Sequence, residues 1–413
     1  MANTFITPSI IAREALMVLE NQLISPTLMS SSVASEFTGA KVGTQINVRR
    51  PTFFATDDFN MDHGTSVDIQ NIKETQVPVT IEHLYDVSFE VTNTEMSLKV
   101  DQFRDRLLVP AMAALSQKID VYALSKVKDL GGLVSDVEFG NSANTPYGHL
   151  STLPQVAKVP EKLNIQQVPM SGRKMVITPK DQTAFFSIDA FARVDHRGGA
   201  TSPVIEANLG RFMGMDVVMS QNLPQHTTGA FAASADATKA TNGDLNVGDT
   251  TVTTTAVNSS TVTVGDTIRI TYNDGVKRDH TITTAQTASG TAFTNLGITP
   301  PIYGHDSVAS DNANKLSVTS GKAVEFISSE DGTAVTHDFS GAWVPDAFQL
   351  IFVPQSDPMG PGTSAATVSY NGMSLRVLQT YDHLKKKDMI SIDCLVGAAC
   401  VDPRLGAKIV SKH

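Results

Sequence analysis

The sequence predicts an α+β protein that carries an inserted all-β domain. Helical periodicity marks the N-terminal segment and a longer segment around residues 98–130, whereas period-two strands lie between and after them. Between about residues 230 and 336 the composition shifts to Thr, Ser, Ala, Gly, Asn and Asp with short alternating strands. A chain of 413 residues has room for two or three domains, so a separate β module fits its length.

The first predicted element is an amphipathic helix that begins at Thr7-Pro8. Thr7 can cap the helix, and Pro8 suits the first helical position, where a backbone N–H is not needed. Apolar residues then recur at helical spacing before Pro26 closes the segment: Ile11, Ala15, Val18, Leu19 and Leu23. The apolar face needs a partner, which the sequence leaves open as either the protein's own core or a neighbouring subunit.

Three alternating segments after Gly43 predict strands. The first covers residues 46–50 and ends at Pro51, and the later two cover 77–81 and 85–91. The stretch between the first and second strands is rich in Asp and Thr. It predicts a long hairpin-like loop that reaches away from the body, because a compact domain rarely keeps so long a loop without using it.

From Leu98 onward the periodicity becomes helical and predicts an unusually long helix. One face of this helix is apolar: Phe103, Leu107, Ala111, Leu115, Ile119, Tyr122 and Leu130. Pro110 should either kink the helix or mark where a preceding turn gives way to the helix proper. Gly131-Gly132 predicts a left-handed stop.

Residues from about 174 to 223 predict a mixed α/β segment. Met175–Ile177 and Met215–Ser220 have the character of strands, and Thr178-Pro179 is typical of a helix start. Residues 196–199 between them predict a loop.

The Thr-rich segment predicts a small all-β module of roughly a hundred residues, an ordinary domain size. Alternating strands occur, for example, over residues 251–253, 261–264, 267–270 and 323–326, and Asn273-Asp274-Gly275 is a turn signal between two of them. Strands over 348–353, 375–377 and 390–392 resume the earlier pattern. A β module bracketed by two halves of another domain is an insertion, which requires its two ends to lie close together.

Composition excludes several classes of protein. A net charge of −10 argues against nucleic-acid binding through a basic surface, which needs clustered Lys and Arg. The two cysteines, Cys394 and Cys400, form neither a disulfide framework nor a zinc spacing and are expected to be reduced. Arg13, Glu14 and Glu20 interrupt any apolar run that could serve as a signal peptide, and we expect no membrane span.

The sequence contains no motif of catalytic weight: we find no phosphate loop, dinucleotide fingerprint, zinc-protease helix or nucleophile elbow. Asp57, Asp58 and Asp62 lack the Gly and the terminal Glu of a calcium loop, which favours solvated charge. Adjacent residues on a strand point to opposite faces, which argues against a shared metal ion. On this ground we interpret three groups as surface polar residues: Glu82-His83 with Asp86, Asp195-His196, and His337-Asp338. We therefore predict no catalytic residue, no cofactor and no metal.

Several short motifs carry a family resemblance through their order and spacing: Ile10–Leu16 followed by Leu19–Asn21, Asp346–Pro354, Gly372–Val377, Tyr381-Asp382, Ile392–Gly397 and Pro403. This order resembles the major capsid (coat) proteins of tailed bacteriophages, especially the type found in short-tailed phages whose coat carries an inserted β domain. The resemblance spans most of the chain outside the insertion.

The resemblance implies the phage major-capsid fold, with an N-terminal arm, an extended loop, a spine helix, a β-hinge and an axial domain. The implied boundaries are 1–40 for the arm, 41–92 for the extended loop and its flanking strands, 93–165 for the peripheral domain with the spine helix, 166–228 for the axial domain, 229–336 for the inserted all-β domain, and 337–413 for the returning strands.

The implied function is self-assembly into an icosahedral shell that encloses phage DNA without sequence-specific binding. The expected partners are further copies of the chain, in pentamers and hexamers, a scaffolding protein, a portal protein and, as a further candidate, a decoration protein. The expected location is the virion capsid, assembled in the host bacterial cytoplasm. Candidate subunit contacts are Ile11, Leu19, Arg49, Arg50, Asp57, Asp58, Asp62, His63 and Arg197.

Two other interpretations stay open. An encapsulating-shell or other structural assembly protein of bacterial origin would share the fold, and a cargo enzyme would set it apart from a phage coat. An enzyme with an unrecognised site would need a nucleophile and a base at plausible spacing, which the sequence does not display.

Overall fold

The structure, a computed structural model, describes residues 8–32, 45–49, 76–92, 104–134, 150–189, 209–230, 238–246, 248–256, 260–273, 275–302, 317–327, 334, 336–356, 358, 363–382 and 387–412. The helices are α1 (Pro8–Gln22), α2 (Ser25–Leu28), α3 (Val109–Ser125), α4 (Leu153–Ile165) and α5 (Pro179–Phe186). The strands of the first half of the chain are β1 (Gln45–Arg49), β2 (Gln76–Thr80), β3 (His83–Thr92), β4 (Gly132–Val134), β5 (Lys174–Ile177), β6 (Arg211–Phe212), β7 (Met215–Met219) and β8 (Gln225–Thr227). Those of the second half are β9 (Thr238–Ala240), β10 (Thr251–Thr255), β11 (Thr261–Val262), β12 (Thr267–Thr271), β13 (Lys277–Ile282), β14 (Gln286–Thr287), β15 (Ala292–Thr299), β16 (Ala323–Ile327), β17 (Thr336–Trp343), β18 (Phe348–Val353), β19 (Thr363–Tyr370), β20 (Met373–Asp382), β21 (Lys387–Cys400) and β22 (Gly406–Lys412).

The chain divides into two compact units. The first takes its described residues from within Met1–Val48, Val77–Lys126 and Phe348–Val401. The second takes them from within Arg49–Gln76, Val127–Ala347 and Asp402–His413. The N-terminal segment and the long helix thus share the first unit with strands β18 to β21.

The first unit is built on a five-stranded antiparallel sheet in the order β18-β21-β20-β19, with β3 also paired to β21. Helix α1 packs against β19, β20 and α3 through its buried face. The backbone N–H groups of Ile24 and Ser25 donate to the buried carboxylate of Asp120 at 3.3 and 3.0 Å. Asp120 therefore holds the start of α2 against α3.

The long predicted helix begins as a π-helical turn, Arg104–Leu108, and continues as α3. Pro110 lies in the first turn of α3, so the second of its two predicted roles is confirmed. The helix ends in a 3-10 turn, Lys126–Asp129.

The predicted left-handed stop is wrong, because neither Gly131 nor Gly132 has a positive φ. Instead, the Gly131 N–H donates to the Pro403 carbonyl at 2.9 Å. A Cβ on Gly132 would lie 2.9 Å from that of Ala407. The two glycines permit close packing against the C-terminal strand.

Among the described residues, one helix is long and apolar enough to cross a membrane by length and composition, contrary to our expectation. It covers Arg106–Asp129, has a mean hydropathy of 1.3, and is 56% buried inside the structure over that window. Its buried face packs against α1, β3 and β21 within the first unit.

The second unit contains a seven-stranded mixed sheet in the order β4-β22-β17-β5-β7-β6, with β8 also paired to β17. Helices α4 and α5 supply apolar side chains to its core, which includes Val159, Leu163 and Phe185. Thr178 caps α5 by accepting from the Asp181 N–H at 3.2 Å, as predicted for this helix start. The buried Asp181 carboxylate accepts hydrogen bonds from two serine hydroxyls of β17 and β22 and fixes α5 to the sheet.

A second sheet in this unit is six-stranded and antiparallel, in the order β10-β15-β13-β12-β16-β9. We call this the inserted sheet. It has its own apolar core, with Ile268, Tyr272, Phe293 and Val324 each 0% exposed. A strand is present at each of the four places where Thr-rich alternation predicted one.

The chain approaches and leaves the inserted sheet side by side. Strand β8 leads towards it, β17 follows it, and the two pair antiparallel with Thr227 opposite Thr336 and His226 opposite His337. We call this pair the neck. The neck meets the requirement that the ends of an insertion lie close together.

Candidate subunit-contact elements

The structure places only some of the predicted contact residues. Arg49 ends β1 and is exposed. Six others lie outside the described residues: Arg50, Asp57, Asp58, Asp62, His63 and Arg197.

The structure places Ile11 and Leu19, the predicted contact residues of α1, in the core of their own unit. They are 3% and 0% exposed because the helix lays its apolar face on strands of its own unit. In this conformation they fill the protein's own core. The apolar side chains that α1 leaves exposed are Ile10, at 40%, and Met17, at 51%.

Residues 50–75 of the predicted extended loop lie outside the described residues, but the strands on either side of them are described. Strands β1 and β2, which flank residues 50–75, pair with each other in a two-stranded sheet. Val79 is fully buried against Ile351 and Val401, and Val48 packs against the same cluster. The two ends of the segment are therefore held together in the first unit.

A polar and aromatic cluster fixes the turn between β2 and β3 to α3. The Tyr122 hydroxyl donates to Glu82 Oε2 at 2.8 Å, and Lys126 Nζ lies 3.3 Å from the same oxygen. The His83 ring stacks on Tyr85 and meets the Tyr122 ring edge-on. As expected for surface polar residues, Glu82 and His83 are exposed.

Opposing effects set the pKa of Glu82. Partial burial raises this pKa, but the hydrogen bond from Tyr122 and the charge of Lys126 outweigh burial, so it lies below its ordinary value. Burial, together with the neighbouring Glu82 carboxylate, raises the pKa of Tyr122, so its hydroxyl stays protonated and remains a donor. The cluster is therefore an ionised carboxylate held by neutral and cationic donors.

Strand β3 forms a long antiparallel ladder with β21, from Thr92 opposite Lys387 to His83 opposite Val396. Polar side chains bond across this ladder: Ser88 to Ser391 at 3.0 Å, and Lys387 to Glu90 at 2.6 Å. These pairs set the register of the two strands.

Several apolar side chains of this sheet stay exposed. They are Leu84 at 54%, Met389 at 42%, Tyr381 at 43% and Tyr370 at 63%. Exposed apolar groups on an ordered sheet are the type of surface that a further protein chain covers. Sequence reasoning missed them because period-two alternation identifies only the inward set of a strand, such as Tyr85, Val87 and Phe89 in β3.

The neck contains a polar site that the sequence did not indicate. His226 Nε2 lies 2.8 Å from Asp266 Oδ1, and the backbone N–H groups of Gly229 and Thr263 donate to Asp266 Oδ2 at 3.1 and 2.8 Å. The His226 ring also stacks on Phe339. Asp266 thus holds a turn of the inserted sheet to the neck.

His337 and Asp338 were predicted to be surface residues, and this prediction is wrong. They are 0% and 5% exposed because β17 lies inside the seven-stranded sheet. Asp195 and His196 lie outside the described residues.

Cys394 is buried, and burial raises the pKa of its thiol to about 12. Within the part of the chain that the structure describes, no three His, Cys, Asp or Glu residues come together to hold a metal ion.

No family model matches the sequence, and no curated protein matches it. Among solved structures, the chain is similar to one described as Mycobacterium phage Che8, with a TM-score of 0.48, 12% identity, and coverage of 94% of this chain and 91% of that one. It is also similar to the capsid structure of the cyanophage P-SCSP1u, with a TM-score of 0.44, 8% identity, and coverage of 91% and 85%. For the mature capsid of bacteriophage PhiM1 the TM-score is 0.44 with 9% identity, and coverage is 94% and 86%.

Proposed function

We propose that the chain is a structural protein, the major capsid protein of a tailed phage of the short-tailed type, and that it assembles into an icosahedral shell around DNA. Its partners are further copies of itself in pentamers and hexamers, a scaffolding protein, a portal protein and a decoration protein. It acts in the virion capsid after assembly in the host cytoplasm, and it needs no catalytic residue, metal or cofactor.

The arrangement of the first unit carries this proposal. The segment 50–75 is held at its base by β1 and β2, β3 continues from that base into the long sheet, and α3 packs on that sheet. An extended loop followed by flanking strands and a spine helix is the order that the sequence resemblance implies. The proposal retains the six segments that the resemblance implies, with boundaries after residues 40, 92, 165, 228 and 336.

The negative charge agrees with a wall around DNA. A net charge of −10 gives little phosphate neutralisation, so the chain is unsuited to hold nucleic acid by attraction. Confinement by a closed shell needs only subunit contacts.

The segment from about residue 43 to residue 82 is proposed to lie over an adjacent subunit. Arg49 and Arg50 at its start and Asp57, Asp58, Asp62 and His63 further on supply charges that set the register between subunits more than their affinity. The exposed Leu84 lies beside its base and supplies apolar area to the same contact. Arg197 is a further candidate contact.

The inserted domain is proposed to stabilise the subunit and to control shell size from the outer surface. Because the neck pairs Thr227 with Thr336, a short linker can replace residues 229–335 without moving the flanking strands. Unchanged assembly and heat resistance in this deletion would contradict the role.

The proposal is tested by light scattering and negative-stain electron microscopy of the chain, expressed alone and together with the product of the neighbouring gene. Closed uniform shells or hexamer sheets are expected. A stable monomer under both conditions would overturn the proposal.

The overlap of residues 43–82 is tested by deleting residues 58–63. The control replaces the same six residues with Gly and Ser, so that loop length is kept while the charges are lost. We expect the deletion to abolish normal closed shells and the control to misassemble less severely. Normal shells from the deletion would contradict the overlap.

An encapsulating shell of bacterial origin is the alternative, because it would use the same subunit contacts. Particles purified from the natural source distinguish the two. DNA inside the particles supports the phage coat, and a cargo enzyme supports the encapsulating shell.

A further inference from the structure

The carboxylate of Asp279 is a buried charge whose partners come from several elements of the second unit. It lies on β13 of the inserted sheet and is 1% exposed. Arg269 Nε donates to Oδ1 at 2.6 Å, and Lys162 Nζ lies 2.7 Å from Oδ2. The backbone N–H of Leu133 donates to Oδ2 at 3.2 Å. We call these four residues the docking cluster.

The donors of the docking cluster come from different parts of the unit. Arg269 lies on β12, next to Asp279 in the inserted sheet. Lys162 lies on α4, and Leu133 lies on β4 at the edge of the seven-stranded sheet. One carboxylate of the inserted sheet therefore binds two elements of the body, meaning the described residues of the second unit outside the insertion.

A second contact supports the first. Thr281, two residues along β13, donates its hydroxyl to the Lys128 carbonyl at 3.0 Å. The ammonium of the fully buried Lys408 on β22 donates to the Thr281 hydroxyl at 2.5 Å and to the same carbonyl at 3.1 Å. Asp279 and Thr281, which lie on the same face of β13, are thus both hydrogen-bonded to residues of the body.

In the described residues the inserted sheet and the body have separate apolar cores. The core of the inserted sheet and the core of the seven-stranded sheet share no residue. The small cluster of Leu133, Phe339 and Val410 consists of body residues alone. The polar bonds of Asp279 and Thr281 therefore form a specific attachment between two separately packed cores.

We infer that Asp279 docks the inserted sheet onto the body of the second unit, so that the two move as one rigid body. The neck pairs β8 with β17 over three residue pairs, and Asp266 holds one turn of the inserted sheet to it. The docking cluster attaches the sheet at a second place on other elements, and two separate attachments oppose rotation of the sheet about the neck.

This inference gives the inserted domain a mechanical role. If the proposed shell function holds, the insertion follows the body of its own subunit when the shell changes size, and does not swing at the neck. The docking itself does not depend on the shell, because all of its contacts lie within one chain.

The test uses hydrogen–deuterium exchange of the full-length chain before assembly, comparing wild type with Asp279→Asn. The substitution removes the carboxylate that Arg269 and Lys162 share, and with it the charge-assisted bond that joins α4 to the inserted sheet. Amide exchange in β4 and α4 should rise about tenfold or more, because loss of a buried partner opens these elements locally. Exchange in the strands of the inserted sheet should rise far less.

Lys162→Met is the second variant, because it removes a body-side donor and keeps the Arg269–Asp279 pair that the inserted sheet needs for its own folding. It should raise exchange in β4 while leaving the inserted sheet protected. Asp216→Asn is the control, since it removes a more exposed ion pair of the second unit, Lys174 to Asp216, which lies on β5 and β7 outside the docking cluster. It should leave β4 and α4 unchanged.

The inference would be overturned if both Asp279→Asn and Lys162→Met exchanged their β4 and α4 amides at the wild-type rate. If Asp279→Asn unfolds entirely, the result for Lys162→Met decides. This outcome is independent of the proposed function. If the variants show the expected exchange but the chain never forms shells, the docking is supported and only the shell function is contradicted.

Discussion

The hydroxyl of Tyr122 joins two elements of the first unit that are distant in sequence. It donates to Glu82 Oε2 at 2.8 Å and accepts a hydrogen bond from the Ala398 N–H at 3.1 Å. The same oxygen atom thus ties α3 to the turn before β3 and to the C-terminal end of β21. This contact fixes the base from which the proposed extended loop leaves the unit.

Tyr122→Phe should lower the free energy of unfolding by about 1–3 kcal/mol, because the buried Ala398 N–H loses its partner. Urea unfolding followed by circular dichroism measures the change. Tyr85→Phe is the control, since Tyr85 lies in the same aromatic cluster and its loss should cost less than about 0.5 kcal/mol. Equal losses in the two variants would contradict the role of the Tyr122 hydroxyl.

His280 should make the inserted sheet sensitive to acid. It is fully buried, with Nδ1 2.8 Å from the Pro300 carbonyl and Nε2 3.0 Å from the Tyr272 hydroxyl, and burial lowers its pKa to about 4. Since the ordinary pKa is near 6.5, the unfolded chain binds more protons between these values. The free energy of unfolding should therefore fall as pH drops from about 6.5 to 4, by up to about 3 kcal/mol.

Urea unfolding at several pH values, for wild type and His280→Asn, checks this expectation. Asn can still donate to the Pro300 carbonyl, and it does not titrate in this range. The variant should be less stable at neutral pH and should lose part of the acid-dependent slope. Parallel slopes would show that another group is responsible.

Lys408 should make the free energy of unfolding depend on pH in the alkaline range. Burial lowers the pKa of this lysine to about 8, below its ordinary value of 10.5. Between these values the unfolded chain holds the extra proton, so the free energy of unfolding should rise with pH across this window. Lys408→Met should lack this rise, which unfolding curves between pH 7.5 and 10.5 would reveal as a difference from wild type. An identical pH dependence would mean that the amine is solvated.

Gly229→Ala should disrupt the neck. A Cβ at this position would lie 2.1 Å from the Thr261 carbonyl oxygen, a backbone atom that cannot turn aside. We expect a loss of about 2–3 kcal/mol, as for overpacked sites. Gly214→Ala is the control: its φ of +81 adds strain of about 1 kcal/mol, and no atom lies within 4 Å of the new Cβ. Thermal unfolding should separate the two variants, and equal melting temperatures would argue against the close approach.

Local pattern identified many elements correctly because helix and strand periodicity are properties of neighbouring residues. Thr178-Pro179 begins α5, Pro110 lies in the first turn of α3, and the strands around 46–50, 77–81 and 85–91 are present. Each of these features depends on a few consecutive side chains.

Which of these elements pack or pair with each other could be determined only from the folded structure. Strand β3 pairs with β21, about 300 positions later, and nothing in either strand specifies the other. His337-Asp338 has the composition of a surface pair, yet β17 lies inside a sheet and buries both residues. Gly131-Gly132 resembles a helix stop, yet it permits an approach to the C-terminal strand.

The same difference applies to function. Composition and the order of elements can be read along the chain, and they are the basis on which we propose a structural role. The burial of Ile11 and Leu19, the bonds of Tyr122 and the docking cluster around Asp279 depend on side chains from distant segments meeting in three dimensions. A charged residue such as Asp279 is identical in sequence whether it is solvated or buried, and only its neighbours in the fold determine which.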